Sequence, residues 1–245
     1  MDNRCRLCTV FKPTGSSKCV QSWDKILFQS KNFAVFPSLG ALVEGWLLIV
    51  PKGHALCLGA LSQQLHSELD ELRSQVSHAL EECYGSVTVF EHGPAQPCHL
   101  VGCGVDHAHL HILPTQINLI EGVKEIFPEP LEWELVGSVQ ETASLYEAGL
   151  PYLYVEQTPG RGFVTTHPNL QSQMFRRVIA KQIGKPEQYN WREFDGEDNI
   201  LPTIERLEQW SSRHSQASGD HLETGRMTIP LGQSGSIAGA VPQFA

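Results

Sequence analysis

The chain has 245 residues, of which 41% are hydrophobic and 18% are charged, and its formal net charge is −9. This length suits one large domain or a smaller domain with a second module, and the composition allows a substantial buried core. The acidic balance argues against a broad basic surface for DNA, although it leaves room for a small phosphate pocket.

No run of 18 or more apolar residues predicts a membrane span, and the N-terminus, Met1–Arg4, lacks an apolar signal region. The seven cysteines are an odd number, which favours reduced thiols or a metal site over a disulfide framework. We therefore expect a cytoplasmic protein without a membrane partner.

Two cysteines, Cys5 and Cys8, open the chain in a Cys-x-x-Cys pattern. The spacing alone fits two incidental thiols, a redox pair or half of a zinc site. A redox pair usually begins a helix that follows a strand, and no predicted strand precedes Cys5. A zinc ion would need two further ligands in a tetrahedral arrangement.

Short apolar runs and one long amphipathic segment follow. Residues 62–83 carry leucine and valine at steps of three and four, which predicts a helix, and we interpret His66 and His78 as exposed residues of that helix. Apolar runs bounded by glycine, proline or polar turns predict strands. The predicted strands are 25–28, 32–36, 46–50 and 87–91.

Histidines alternate with apolar residues in the segment 106–114. This period predicts a half-buried strand, and alternate residues of a strand share one face. His107, His109 and His111 should then point the same way, with about 6.6 Å between neighbours at the usual rise of a strand. Three aligned imidazoles suit either metal binding or acid, base and nucleophilic chemistry near neutral pH.

The pattern His107-x-His109-x-His111, followed by two apolar residues, resembles the signature of the histidine triad (HIT) superfamily of nucleotide hydrolases and transferases. The order of elements in the first ~115 residues also resembles that family. The resemblance implies an α+β, HIT-like fold over residues 1–120, with a long helix and an antiparallel sheet of about five strands. It also implies a nucleotide-type small-molecule substrate. Many relatives are homodimers, but a C-terminal extension could occupy that interface instead.

The resemblance also assigns roles to the histidines. The middle histidine, His109, would attack the α-phosphorus of a nucleotide ester, anhydride or phosphoramidate, and water or another acceptor would resolve the nucleotidyl-histidine. His111 would donate to a non-bridging phosphate oxygen, and His107 would orient the site. The family's hydroxyl that assists the leaving group is missing at residues 103–104. We therefore include His92 as a catalytic candidate.

A nucleoside pocket and a phosphate-binding loop are implied in the same way. The candidate substrate-binding residues are Phe33, Phe36, Ser38, Leu39, Glu91, Gly102 and Gly104. Phe33, Phe36 and Leu39 would line the base pocket, and the backbone N–H groups of the two glycines would face a phosphate. Ser38 stands where many relatives carry an acid that holds the ribose hydroxyls, so ribose recognition does not follow from the resemblance.

For the two N-terminal cysteines the resemblance implies a structural zinc ion. In many relatives the remaining ligands are the histidine of a Pro-Lys-x-His segment and the first histidine of the triad. The implied Zn²⁺ ligands here are Cys5, Cys8, His54 and His107. Cys19, Cys98 and Cys103 are alternative thiol ligands.

Beyond residue 114 the resemblance fades. We predict a small α+β extension, residues 121–212, that packs on the core and narrows substrate choice, and a flexible tail, residues 213–245, that is rich in serine, glycine and glutamine. A predicted helix at 170–183 carries Arg176 and Arg177. Arginine suits bidentate phosphate binding, so one of the two is a candidate to reach the histidines.

Two other functions remain open from the sequence. All three histidines could hold a catalytic zinc ion that activates water. Alternatively, the chain could be a non-catalytic binding module, as in HIT relatives with long C-terminal extensions that work in RNA processing. Metal content and a trapped phosphohistidine would separate these readings from the nucleotide-processing enzyme.

Overall fold

The computed structural model describes residues 5–11, 21–98, 101 and 104–217. Its strands are β1 (Phe28–Gln29), β2 (Phe33–Pro37), β3 (Leu47–Pro51), β4 (Val87–Gly93), β5 (Leu110–Pro114), β6 (Glu134–Val136), β7 (Tyr152–Thr158) and β8 (Arg161–Thr166). Its helices are α1 (Arg6–Val10), α2 (Gln63–Tyr84), α3 (Leu119–Ile126), α4 (Ala143–Glu147), α5 (Met174–Gln182) and α6 (Glu197–Ala217). Single 3-10 turns occupy Ser22–Asp24, Leu58–Ala60, Val139–Thr142 and Pro186–Tyr189. The predictions for Cys19, Gly102, Cys103 and residues 218–245 lie outside the described residues.

The eight strands form one sheet in the order β1-β2-β3-β5-β4-β7-β8-β6, and every pairing in it is antiparallel. The predicted α+β class is confirmed, but the predicted number of about five strands is wrong. The three additional strands come from the C-terminal half of the chain. They join the sheet because β7 pairs with β4, from Val89 opposite Glu156 to Gly93 opposite Tyr152.

The long helix α2 covers one face of the sheet. Leu110 and Ile112 of β5 point to this face and pack with Leu69 of the helix, as alternation along a strand requires. His78 is exposed, as predicted. The prediction that His66 is exposed is wrong, because it lies three residues before Leu69 and therefore shares the buried stripe of the helix.

The opposite face of the sheet is covered by the C-terminal elements. Phe90 and Leu153 on this face pack in one apolar cluster with Phe175 of α5. The domain boundary predicted after residue 120 falls inside α3, and the boundary predicted after residue 212 falls inside α6. No helix in the described ranges is both long and apolar enough to cross a membrane.

Candidate active site

A compact group of metal donors lies where α1 meets the segment before β5. Nδ1 of His107 is 3.3 Å from Sγ of Cys5 and 3.5 Å from Sγ of Cys8, and Nδ1 of His54 is 3.4 Å from Sγ of Cys8. All four donor atoms lie within 4.8 Å of one another. The structure therefore brings together the four residues that the resemblance implied as zinc ligands.

The geometry of this donor group fits a tetrahedral zinc ion. Bond lengths of about 2.3 Å for Zn–S and about 2.0–2.1 Å for Zn–N put neighbouring sulfur and nitrogen donors about 3.5 Å apart. Nε2 of His107 donates to the carbonyl oxygen of Pro51 at 2.8 Å, which leaves Nδ1 unprotonated and supplies the outer hydrogen bond typical of a metal-bound histidine. Burial lowers the pKa of His107 to about 4, so the ring is neutral. Two thiols and two imidazoles without an open position are typical of a structural site.

The predicted strand through the histidines begins later than expected. Strand β5 starts at Leu110, because the N–H of Ala108 donates to the carbonyl of Ala55 instead of to β3. The rings of His109 and His111 stay together, with centroids 4.8 Å apart. Nδ1 of His107 instead faces Cys5 and Cys8, and residues 107–109 precede β5, so the regular spacing of a strand does not extend to His107.

The tautomer of His109 follows from its hydrogen bond. Its Nδ1 lies 2.7 Å from the carbonyl oxygen of His107, and because a carbonyl oxygen only accepts, Nδ1 carries the hydrogen. Nε2 therefore holds the lone pair. Burial, and then the charge of Arg176, lower the pKa of His109, so the ring is uncharged at neutral pH.

His111 has the opposite tautomer. Its Nδ1 accepts a hydrogen bond from Nε1 of Trp46 at 3.0 Å, and because an indole nitrogen only donates, the hydrogen of His111 is on Nε2. The ring is stacked on Phe90 with centroids 4.4 Å apart, and burial holds its pKa well below the usual range. Side by side, His109 offers a lone pair and His111 offers an N–H donor.

Helix α5 contacts the sheet through His92, which lies next to His111. The predicted catalytic residue His92 is buried, and its Nε2 accepts the N–H of Phe175 at 3.1 Å, with its ring centroid 6.0 Å from that of His111. This bond ties α5 to the sheet beside the triad.

Of the two candidate arginines, Arg176 reaches the site. Its guanidinium lies 4.9 Å from the ring centroid of Trp46 and donates to the carbonyls of Gly40 and Tyr189. The side chain is buried, so its charge acts in a low-dielectric setting, where it favours an anion. Arg177 instead stacks on Tyr189.

A small cavity of about 30 Å³ adjoins the histidines. It is lined by Arg6, Leu7, Ser38, Leu39, Leu48, Val105, His109, His111, Arg176 and Trp191. None of these described residues is acidic, and two arginines line the cavity, which suits an anion. The volume holds one or two water molecules at most, so a nucleotide enters only if lining side chains such as Trp191 move.

The structure does not bring the predicted substrate-binding residues together in one pocket. Ser38 and Leu39 line the cavity, whereas Phe36 packs beside Cys5 and Cys8. Phe33 is three residues from Phe36 on β2 and therefore faces the other side of the sheet, in the core under α2.

Gly104, one of the two predicted phosphate-loop glycines, and Glu91 also lie apart from the cavity. The carbonyl oxygen of Gly104 accepts from Nη2 of Arg192 at 3.0 Å, and Gly102 is outside the described residues. Glu91 faces the α2 side, where its two oxygens accept from the N–H of Leu58 and the hydroxyl of Tyr152, each at 2.6 Å. It therefore holds the 3-10 turn that follows the candidate metal ligand His54.

The pKa of Glu91 predicts a distinct pH dependence of stability. Burial raises this pKa from its ordinary 4.5 to about 7, although the two hydrogen bonds oppose the shift. The folded state thus binds this proton more tightly than the unfolded state, so the contribution of Glu91 to the free energy of unfolding should fall by up to about 3 kcal/mol as the pH rises from about 4.5 to 7. Glu91→Gln should flatten this fall, as urea unfolding at pH 5 and pH 7.5 would measure. Equal pH dependence in the two proteins would contradict it.

One tryptophan of the site, Trp46, was not anticipated from the sequence. Trp46 fixes the tautomer of His111 from 65 positions away in the chain, and Trp191 closes the cavity from a segment without strong periodicity. The candidate metal donors argue against the catalytic-zinc alternative. Among the described residues, the group that could hold a metal includes His107 but neither His109 nor His111.

The comparisons with known proteins give the following likenesses. No family model matches the chain. The zinc finger CCCH domain-containing protein 64 of Arabidopsis thaliana is 28% identical over 193 residues, which are 72% of this chain and 30% of that protein. The chain therefore spans less than a third of the length of this curated relative.

Among solved structures, the chain is similar to histidine triad proteins. A HIT-like protein of Bartonella henselae is 16% identical, with a TM-score of 0.36 over 61% of this chain and 98% of that one. A zinc-bound histidine triad family protein of Mycobacterium smegmatis is 18% identical, with a TM-score of 0.35 over 60% and 92%. Yeast Ap4A phosphorylase Apa2, in complex with Ap4A, is 8% identical, with a TM-score of 0.36 over 67% and 72%.

Proposed function

We propose that this chain is a histidine triad protein that processes nucleotides, by hydrolysing or transferring a nucleotidyl group through a covalent bond between phosphorus and Nε2 of His109. The substrate is a nucleotide ester, anhydride or phosphoramidate. A structural Zn²⁺ held by Cys5, Cys8, His54 and His107 would cross-link α1 to the segment before β5 and thereby fix the start of the triad.

The pair of opposite tautomers at His109 and His111 carries the proposal. A nucleophile needs an available lone pair, which the bond from Nδ1 of His109 to the carbonyl of His107 assigns to Nε2. Charge that develops on phosphate oxygens needs a donor, which the indole of Trp46 assigns to Nε2 of His111. Both hydrogen bonds are made to groups of the protein itself, so the two roles do not depend on a contact with the substrate.

The reaction proceeds in two displacements. The lone pair of His109 forms the N–P bond while the bond from phosphorus to the leaving group breaks, and His111 donates to a non-bridging oxygen. Water then attacks phosphorus and the N–P bond breaks, which returns the lone pair to Nε2. Over the cycle one water is consumed, with its oxygen going to phosphorus and one proton going to the leaving group. In a transfer reaction another acceptor takes the place of water.

Arg176 should contribute to turnover through its charge. Because it is buried beside the two histidines, we expect Arg176→Gln to lower kcat by about 10²–10³-fold, as for the loss of one electrostatic stabiliser of the transition state. Arg176→Lys should recover part of the loss. Arg177→Gln, at the neighbouring position stacked on Tyr189, is the matched control and should keep kcat within about twofold of wild type. A purely structural role would instead lower Tm in both Arg176 variants without a difference in kcat between them.

The second candidate is a non-catalytic binding module, in which the same cavity beside His109, His111 and Arg176 holds a nucleotide without reaction. Wild type and His109→Asn should therefore be compared on nucleoside phosphoramidates, dinucleoside polyphosphates and nucleotide sugars. Turnover by wild type alone supports the enzyme. Nucleotide binding without turnover of any substrate class supports the binding module and contradicts the enzyme.

A further inference from the structure

We propose that His92 is a positioning residue, which holds the start of helix α5 so that the charge of Arg176 faces the bound phosphate group. This inference rests on the proposed function and deepens it, because it concerns how the same cavity binds a nucleotide. It replaces the direct catalytic role that the sequence suggested for His92 with an action through another residue.

His92 is buried beside the triad but does not reach the triad cavity. Its ring centroid lies 6.0 Å from that of His111 and 5.2 Å from that of Phe175. Arg176 lines the cavity, and His92 is not among the described lining residues. A phosphate group in the cavity would therefore contact Arg176 and not His92.

The start of α5 depends on a hydrogen bond from outside the helix. The first N–H groups of a helix have no acceptor within it. Gln173 occupies the N-cap position with a φ of 60° and makes no side-chain cap hydrogen bond, and its buried Oε1 has no partner among the described residues. Nε2 of His92 accepts the N–H of Phe175 at 3.1 Å, so a ring on β4 serves as the cap of α5.

This cap lies next to Arg176 in the chain. Phe175 immediately precedes Arg176, whose guanidinium donates to the backbone carbonyls of Gly40 and Tyr189. The first turn of α5 thus fixes the Cα atom of Arg176, while the two carbonyls fix its guanidinium. Without an acceptor on residue 92, the N–H of Phe175 would be buried and unsatisfied, a state that folded proteins avoid. The first turn of α5 would then shift, and Arg176 with it.

An uncharged histidine suits this place better than a carboxylate. Because a backbone N–H only donates, Nε2 of His92 holds a lone pair. Burial, followed by the electrostatic influence of His109 and Arg176, holds the pKa of His92 well below its usual range. The ring therefore caps the helix without carrying a charge. A carboxylate on residue 92 would instead attract Arg176 and compete with a phosphate for it.

Two replacements of His92 separate its hydrogen bond from its volume. His92→Gln keeps an oxygen that can accept the N–H of Phe175, whereas His92→Leu keeps apolar contacts and removes the acceptor. His92→Met takes the place of the leucine variant if that variant does not fold, because a thioether is a weak acceptor and a flexible filler. His66→Leu is the matched control, since His66 is a buried histidine of α2 that does not line the cavity.

Each variant is prepared with Arg176 and with Arg176→Gln, and the affinity for AMP is measured by calorimetry. With Arg176 present, we expect His92→Leu to weaken AMP binding by about 5–50-fold, within the range of coupling between residues of one network, and His92→Gln to stay within about threefold of wild type. In the Arg176→Gln background His92→Leu should change the affinity by less than about twofold, because the charge that His92 positions is gone. His66→Leu should have no effect in either background.

Equal weakening in both backgrounds, equal losses in His92→Gln and His92→Leu, full affinity in His92→Leu, or no AMP binding by wild type would overturn the positioning role. A loss of kcat in both His92 variants with unchanged AMP affinity would also overturn it, because that result indicates a catalytic residue.

Turnover separates this result from the catalytic proposal. If AMP binding shows the expected pattern but wild type cleaves no nucleotide, the positioning role stands and the catalytic function fails. If wild type cleaves adenosine 5′-phosphoramidate but His92→Leu binds AMP as wild type does, the enzyme stands and the positioning role fails.

Discussion

Replacing His109 with asparagine should lower turnover by about 10⁴-fold or more while the fold and substrate binding remain. The amide of asparagine can still donate to the carbonyl oxygen of His107, which His109 does now, but it offers no lone pair that attacks phosphorus. His78→Asn is the matched control, because His78 is an exposed histidine of α2. Steady-state kinetics and Tm measure both effects.

The neighbouring histidine should show a smaller loss. His111→Asn removes an N–H donor and not the nucleophile, so kcat should fall by about 10²–10³-fold, as for one oxyanion donor. The ratio of the two kcat values tests the division of roles. Both residues are buried and their rings are adjacent, so each variant disturbs a similar environment. Equal losses in His109→Asn and His111→Asn, or turnover retained by His109→Asn, would contradict the division of roles.

Replacing Cys8 with serine should remove zinc and destabilise the fold. Sγ of Cys8 lies near both histidine donors of the group, and binding of a structural metal contributes directly to the free energy of folding. A loss of about 3–4 kcal/mol lowers Tm by about 10 °C in a chain of this size. Metal analysis should find about one zinc per wild-type chain and much less in the variant.

The control for this experiment is Cys83→Ser, since Cys83 is a half-buried free thiol at the end of α2 and outside the metal group. It should keep both zinc content and Tm. Cys8 does not line the triad cavity, so the fraction of Cys8→Ser that stays folded should keep residual turnover. Full zinc occupancy in Cys8→Ser would overturn the assignment of the site.

Local patterns in the sequence were sufficient to predict the helix and the strand that have a long periodic run of apolar residues. The helix predicted at 62–83 is observed at Gln63–Tyr84, and the alternation in 106–114 placed Leu110 and Ile112 in the core opposite His109 and His111. The error at His66 has a simple cause. A histidine on an apolar stripe was assigned to solvent by residue type, although its spacing from Leu69 put it on the buried face.

Pairings between strands that are far apart in the chain could not be predicted from local sequence patterns. The addition of β7 to β4 depends on contacts about 60 residues apart, and no local pattern specifies them. The same holds for Trp46, whose indole sets the tautomer of His111. For Arg176 the sequence offered two neighbouring candidates, and only the fold shows that this one lines the cavity. The misplacement of Phe33 was avoidable, because residues 33 and 36 of one strand must face opposite sides.

The residues proposed for metal binding depended on a resemblance and not on spacing. Cys5, Cys8 and His54 are separated from His107 by 102, 99 and 53 positions, and the structure brings their donor atoms within 4.8 Å. Spacing in the sequence left three uses of the cysteine pair open. Only the folded arrangement of α1 against the segment before β5 distinguishes among them.

The most direct test of the account is to locate the covalent intermediate. Wild type and His111→Asn should be quenched during turnover of a slowly resolved nucleotide phosphoramidate and analysed by mass spectrometry under conditions that preserve an acid-labile N–P bond. We expect a nucleotidyl adduct on His109 in both proteins and no adduct in His109→Asn. An adduct on His92 or His107, or direct attack by water with inversion at phosphorus, would contradict it.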